Sequence, residues 1–267
     1  MNMTLKPAFG LSGSALKVIA MISMVIDHIA LYMMEHGTVL YETMRCVGRI
    51  AFPVFAFLIA EGFIHTRSRY RYFFTLLGFA VISEIPWYLL NGADGTHNVM
   101  FTLALGVATL MVLENLLQRS MVLGFLWTLG MAGLASWLGV DYEWRGIIII
   151  VFFYLFNGYG HSFPYSRGMQ FFCTFTLMIH YGGIGAVMAY IFLYLYNGIR
   201  GFIKAHKGKY LFYMFYPIHL LIIYEKGIEK INKEKRMDIK KDAIVWRSAH
   251  CCILFCFRKR SLSYYPK

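Results

Sequence analysis

The run MISMVIDHIALYMM (residues 21–34) places two ionisable residues, Asp27 and His28, side by side in apolar surroundings. Lys17 stands eleven positions before His28. At about 100° per residue that is nearly three full turns, so Lys17 and His28 share one helix face about 16 Å apart. An imidazole beside a carboxylate can hold a proton near neutral pH and act as a general base. The same Asp27–His28 pair can equally be a buried polar contact between packed helices. A charge near the bilayer centre costs roughly 2.5–3.5 kcal/mol on insertion scales, so such residues face a bundle interior or a wet cavity.

Other ionisable side chains fall at intervals along the chain. GRIAFPVFAFLIAEGFIHTRSR (residues 48–69) carries Arg49, Pro53, Glu61, Arg67 and Arg69, with Arg71 just beyond. Pro53 is expected to kink or break its helix and free backbone carbonyls. Glu61 suits an ion pair with Arg67 or Lys17, or a direct part in catalysis. Arg67, Arg69 and Arg71 are topology determinants first, and guanidinium groups also bind phosphates. In ISEIPWYLL (residues 82–90) Glu84 precedes Pro86, a charge beside a helix break that Arg49 could meet. Asn98 and Thr102 stand one turn apart and suit interhelical packing. His219 lies in the last apolar run.

These residues need helices to hold them. The 267-residue chain is 58% hydrophobic and 15% charged, with mean hydropathy +0.54. Soluble domains run nearer half apolar and a quarter charged, so the expected class is an all-α, polytopic membrane helix bundle. A span needs about 20 apolar residues. Candidate spans are 15–34, 47–64, 72–91, 98–117, 120–140, 144–160, 168–181, 184–203 and 209–224. Gly182-Gly183 leaves the seventh and eighth separable or merged, so the count is eight or nine. No small-residue cleavage site follows the first run, and a cleavable signal peptide is not expected.

Net charge is +12. Residues 1–224 hold 14 Lys/Arg against 9 Asp/Glu, and residues 225–267 hold 12 against 5. We therefore read 1–224 as the membrane domain and 225–267 as a basic C-terminal extension without an assigned role. Short basic loops mark the cytoplasmic side. The loop with Arg67, Arg69 and Arg71 goes inside, together with Lys6, Lys17, Arg119 and the 200–209 group. The N-terminus is then cytoplasmic. With nine spans the lysine-rich KINKEKRMDIKK (residues 230–241) falls outside, against that rule. No basic face or motif suggests nucleic acid. Five cysteines without zinc-site spacing suggest neither a disulfide framework nor a metal site. No internal repeat is visible, which counts against an inverted-repeat transporter.

The ordered blocks LKVIAMISMVIDHIA, GRIAFPVFAFLIAEGFIHTR, FAVISEIPW, NVMFTLALG, YNGIRG and KYLFYMFYPIHLLIIY resemble the TraX family. They run from about residue 14 to 224. That family is named for a conjugative-plasmid protein associated with N-terminal acetylation of pilin. TraX-like proteins in turn look like distant relatives of the acyltransferase-3 group, which O-acetylates surface sugars. That group carries an arginine, ten residues and a histidine in its first helix. Here the spacing holds Lys17 and His28; lysine keeps the cation but loses the bidentate fork.

The resemblance implies a bacterial inner-membrane, multi-pass acetyltransferase using cytoplasmic acetyl-CoA. Lys17, Arg67, Arg69 and Arg71 would hold the donor's phosphates. His28 would act as base or acyl relay, with Asp27 or Glu61 supporting the imidazole. The acceptor would be a pilin N-terminal amine or a surface glycan or peptide. Two other classes fit the residues. One is a proton-coupled transporter or flippase relaying through Asp27, His28, Glu61 and Glu84. The other is a non-catalytic partner of a pilus or secretion assembly.

Overall fold

The computed structural model describes residues 10–157, 166–201 and 210–230. The chain divides into two compact units, Met1–Ile223 and Tyr224–Lys267. In the second, residues 224–230 are helical, and Lys226 pairs with Glu229 at 2.7 Å. The expected extracytoplasmic placement of residues 231–241 lies outside the described residues.

In the first unit the helices are α1 Gly13–Met33, α2 Val39–Gly48, α3 Ala51–His65, α4 Arg69–Asn91, α5 Val99–Arg119, α6 Met121–Trp137, α7 Glu143–Leu155 and α8 Arg167–Tyr194. Helical residues 210–223 form α9. Among the described residues there is no strand, only the isolated bridges Leu11–Tyr196 and His97–Val140. The N-caps explain several starts. Ser12, Thr38, Ser68, Asn98 and Ser166 each accept a backbone N–H of the first turn with the side chain.

By length and composition five segments are apolar enough to cross a membrane: Gly13–Met33, Val39–His65, Arg69–Asn91, Val99–Arg119 and Arg167–Tyr194, the last of which folds back at Gly182. Large apolar side chains such as Ile22, Ile85, Phe125, Phe172, Ile184 and Leu211 are exposed on their outer faces. Water would not tolerate so continuous an apolar surface, whereas lipid accepts it. The chain is thus an all-helical membrane protein.

α3 is the most buried helix and packs on α1, α5, α7 and α8. Small residues set the close approaches: a Cβ on Gly106 would meet Ile150, and one on Gly146 would meet Thr102 and Phe52. Pro53 does not kink the second span. It sits in the first turn of α3, where its missing N–H costs no hydrogen bond. The break falls earlier, at Arg49 and Ile50, where α2 ends. Likewise α4 runs through Pro86 to Asn91 rather than breaking there.

α8 is a hairpin. Gly182 has φ 144° and ψ 100°, outside the helical region and open to glycine. The Arg167 guanidinium donates to the carbonyls of Tyr194 and, at 3.1 Å, Tyr196. The rings of Phe171 and Tyr190 meet edge to face at 4.8 Å. A straight helix of this length would hold its ends about 42 Å apart. The chain therefore turns back at Gly182, giving two legs where the sequence suggested a break.

This return is testable. With native cysteines removed, Phe171→Cys and Tyr190→Cys should cross-link within one chain through a short bismaleimide. In a straight helix those positions would be about 28 Å apart, and no product would form.

Candidate active site

α1 carries Lys17 near its start and His28 about 16 Å further along. Both side chains meet α9. The Lys17 ammonium lies over the Phe212 ring, 5.5 Å from its centroid. His28 Nδ1 lies 2.7 Å from His219 Nε2, with the two rings within 6° of parallel. His219 Nδ1 lies 3.0 Å from the Phe215 carbonyl oxygen. The Phe215 ring stacks on His219, and Tyr216 packs on both imidazoles. Since 17 pairs with 212 and 28 with 219, α1 and α9 run in the same sense.

Asp27 is turned about 100° away from His28, onto a different neighbour. Its Oδ2 accepts from Arg45 Nη1 at 2.6 Å, and its Oδ1 is buried without a hydrogen-bond partner. α2 presses close enough to make this pair because residue 48 is glycine. A Cβ there would collide with the Asp27 carboxylate. Ser23 adds hydrogen bonds to the carbonyls of Val47, at 2.7 Å, and Gly48, at 3.1 Å.

Arg49 closes the cluster. Its guanidinium lies in the field of the Tyr142 side chain, Asp27 and Asp141. Gly182 and Gly185 of α8 pass directly over its side chain. Tyr142 stacks on Phe52 with centroids 3.7 Å apart. Tyr142 and Glu143 adopt left-handed φ of 62° and 45°, a strained backbone for non-glycine residues. Asp141 is tied down by its own backbone: its N–H donates to the His97 carbonyl at 2.9 Å, and its carbonyl accepts from the Thr102 hydroxyl. Burial in this loop pushes the Asp141 carboxyl up to about 6, against the opposing pull of the Tyr142 N–H and Arg49.

The remaining expected residues form other clusters. Glu84 does not meet Arg49. It accepts from Asn98 Nδ2 at 2.6 Å and pairs with His97 Nδ1 at 2.5 Å, fastening the α4–α5 turn. Asn98 is the N-cap of α5, and Thr102 holds the Asp141 loop. Glu61 meets neither Lys17 nor Arg67. Asn157 Nδ2 donates to it at 2.9 Å and the Tyr196 hydroxyl at 3.1 Å. α3 runs back toward the start of α1, so Glu61 lies at the Lys17 end and away from His28. Arg69 is engaged by Glu114 in a two-pronged ion pair, whereas Arg67 and Arg71 are exposed. Of the carboxylates expected beside the imidazole, neither Asp27 nor Glu61 bonds to it. His219 occupies that position instead.

Sequence reasoning did not find Arg45, Gly48, Asp141 or Tyr142 as one cluster, or Glu114, Asn157 and Tyr196 as partners. The one local signal was the density of Arg and Gly in RCVGR (residues 45–49). Among the described residues, no group of three or more His, Cys, Asp or Glu side chains could hold a metal ion.

Residues 12–225 match the family described as TraX protein. The chain belongs to the TraX family. The matched stretch includes His28, His219, Asp27, Arg45, Arg49 and Asp141. Its similar relatives include the probable fimbrial assembly protein FimC, serogroup H1, of Dichelobacter nodosus, 30% identical over 242 residues, covering 79% of this chain and 94% of that one. Another is the uncharacterized protein RP591 of Rickettsia prowazekii (strain Madrid E), 29% identical over 167 residues and 62% of each chain. No solved structure matches this TraX-family chain.

Two outcomes follow from the cluster. Gly48→Ala should lower stability by about 1–3 kcal/mol, through the collision with Asp27. Gly78→Ala, with open space around it, should not. Thermal unfolding in detergent separates the two. The second concerns Asp141, whose carboxyl rises from an ordinary 3.8 to about 6. A raised acid stabilises the fold fully below pH ~4 and loses that share as pH climbs through about 6. Between those limits the native protein should lose up to about 3 kcal/mol relative to Asp141→Asn. Parallel unfolding profiles for the two proteins would show an unperturbed carboxylate.

Proposed function

We propose that this TraX-family protein is a membrane-embedded acetyltransferase. It moves an acetyl group from cytoplasmic acetyl-CoA to an extracytoplasmic amine or hydroxyl. The observation that carries this reading is His28: an imidazole held inside the bundle by a second imidazole, one helix face and about 16 Å from Lys17. The likeness of the Lys17–His28 spacing to the arginine–histidine spacing of acyltransferase-3 enzymes supports the same chemistry. His28 takes the proton of the acceptor amine as its nitrogen attacks the thioester carbonyl. The C–N bond forms, the C–S bond breaks, and the proton returns to the departing thiolate.

The donor would enter at the Lys17 end. Exposed Arg67, Arg71 and Arg200 there suit its phosphates, whereas Arg69 is already bound to Glu114. Counting the α8 hairpin as two legs and α2–α3 as one gives nine crossings. That count agrees with α1 and α9 running in the same sense. With the basic loop of Arg67, Arg69 and Arg71 taken as cytoplasmic, the N-terminus is inside and His28 lies toward the outer face. The protein would then reside in the bacterial inner membrane.

The acceptor class is a pilin N-terminal amine or a surface glycan or peptide. The name of the Dichelobacter relative, a probable fimbrial assembly protein, favours the pilin end and a pilus-related role. That name also supports a second reading, a non-catalytic partner in pilus assembly. A proton-relay transporter is less favoured, because Asp27, Glu61 and Glu84 are each tied to separate partners.

Purified protein supplied with labelled acetyl-CoA and a pilin or glycan acceptor should transfer label. His28→Ala should reduce the rate by at least about a hundredfold. Undiminished transfer would remove His28 from the chemistry. Absence of any acetyl-CoA binding in folded protein would favour the assembly reading.

A further inference from the structure

The two imidazoles are joined in a line with one fixed end. The Phe215 carbonyl can only accept a hydrogen bond, so His219 Nδ1, 3.0 Å away, carries the proton. A neutral imidazole has one N–H, which leaves His219 Nε2 with a lone pair. That nitrogen lies 2.7 Å from His28 Nδ1, so His28 Nδ1 carries the second proton and donates it. His28 Nε2 is then bare.

We infer that His219 is a positioning residue that fixes the tautomer of His28, leaving Nε2 as the basic atom of the site. The inference rests on the acetyltransferase reading for its purpose but not for its geometry. His219 is held for this role: it is 5% exposed, stacked by Phe215 at 5.2 Å and edged by Tyr216 at 5.4 Å. Asp27, which sequence placed beside the imidazole, is spent on Arg45. A backbone carbonyl and a second histidine thus do what a carboxylate does in many histidine sites.

The line also gives the proton somewhere to go. When His28 Nε2 takes a proton from the acceptor, the proton on His28 Nδ1 can move to His219 Nε2. His219 then holds two N–H groups, one toward Phe215 and one toward His28, and the positive charge spreads over both rings. The reverse movement returns the proton from His28 Nε2 to the leaving thiolate. An acetyl group carried by this histidine would also have to sit on Nε2.

The test is nitrogen NMR of the full-length protein in lipid nanodiscs with 15N-labelled histidine, assigned through His28→Ala. His28 is expected to show a protonated Nδ1 and a bare Nε2, and His219→Leu should convert it to a mixture of tautomers. A protonated Nε2 in the native protein, or a mixture already present, would overturn the inference whether or not the protein transfers acetyl groups. Label transfer adds a second readout. His219→Gln, whose amide oxygen can accept from His28, should stay within about tenfold of native, and His219→Leu should fall by about a hundredfold or more. Equal losses in both variants would mean that His219 only fills space. A correct tautomer without any transfer would instead count against the acetyltransferase reading alone.

Discussion

The half-buried ion pair of Asp27 and Arg45 is the constraint around which this end of the bundle is arranged. Two charges removed from water repay their desolvation only at close range and with good geometry. That range fixes the approach of α2 to α1, and the approach requires a residue without a side chain at position 48. The same short helix delivers Arg49 one step later, and Arg49 must also find anionic and polar company. It finds it in the Asp141–Tyr142 loop, whose left-handed backbone turns Tyr142 toward it. α8 then bends at Gly182 to pass over the arginine. Removing one member would leave the other charge partly buried without its counter-ion.

Polar chemistry in this protein is sorted into two layers. One holds His28, His219, Asp27, Arg45, Arg49 and Asp141. The other holds Lys17, Glu61, Asn157, Tyr196 and the Arg69–Glu114 pair. Between them the helices touch mainly through Ala, Gly, Leu, Ile and Phe. A thick apolar middle separates a cation-rich end from a histidine-bearing end, and α1 alone contributes a principal residue to each.

Much of this was legible in the sequence where the signal is periodic or local. The single face shared by Lys17 and His28 follows from helical geometry, and both do meet one helix. The glycines at 182 and 183 marked the turn of the α8 hairpin. The helical class follows from the length and apolarity of the runs. What could not be read are contacts between distant segments. Asp27 and His28 are adjacent, yet a helix turns neighbours to different faces, so each has its own partner. Glu61 was misassigned because its true partners, Asn157 and Tyr196, lie about a hundred residues or more downstream. Glu84 is the opposite case: His97 and Asn98 follow within fourteen residues, across the loop that ends α4, and the N-cap character of asparagine was a usable sign. Pro53 was misread because a proline that opens a helix looks, in sequence, like one that bends it.

His28 belongs to the first helix of the described chain and His219 to the last helix of the same unit. Membrane helices enter the bilayer in order as the ribosome makes them. During most of synthesis, therefore, α1 sits in the membrane with its histidine unmatched, and the pair closes only when α9 arrives. A chain that stops early, or loses its final helix to a protease, keeps His28 but not the imidazole beside it. The pairing of the two histidines therefore waits on the helix that is made last in this unit.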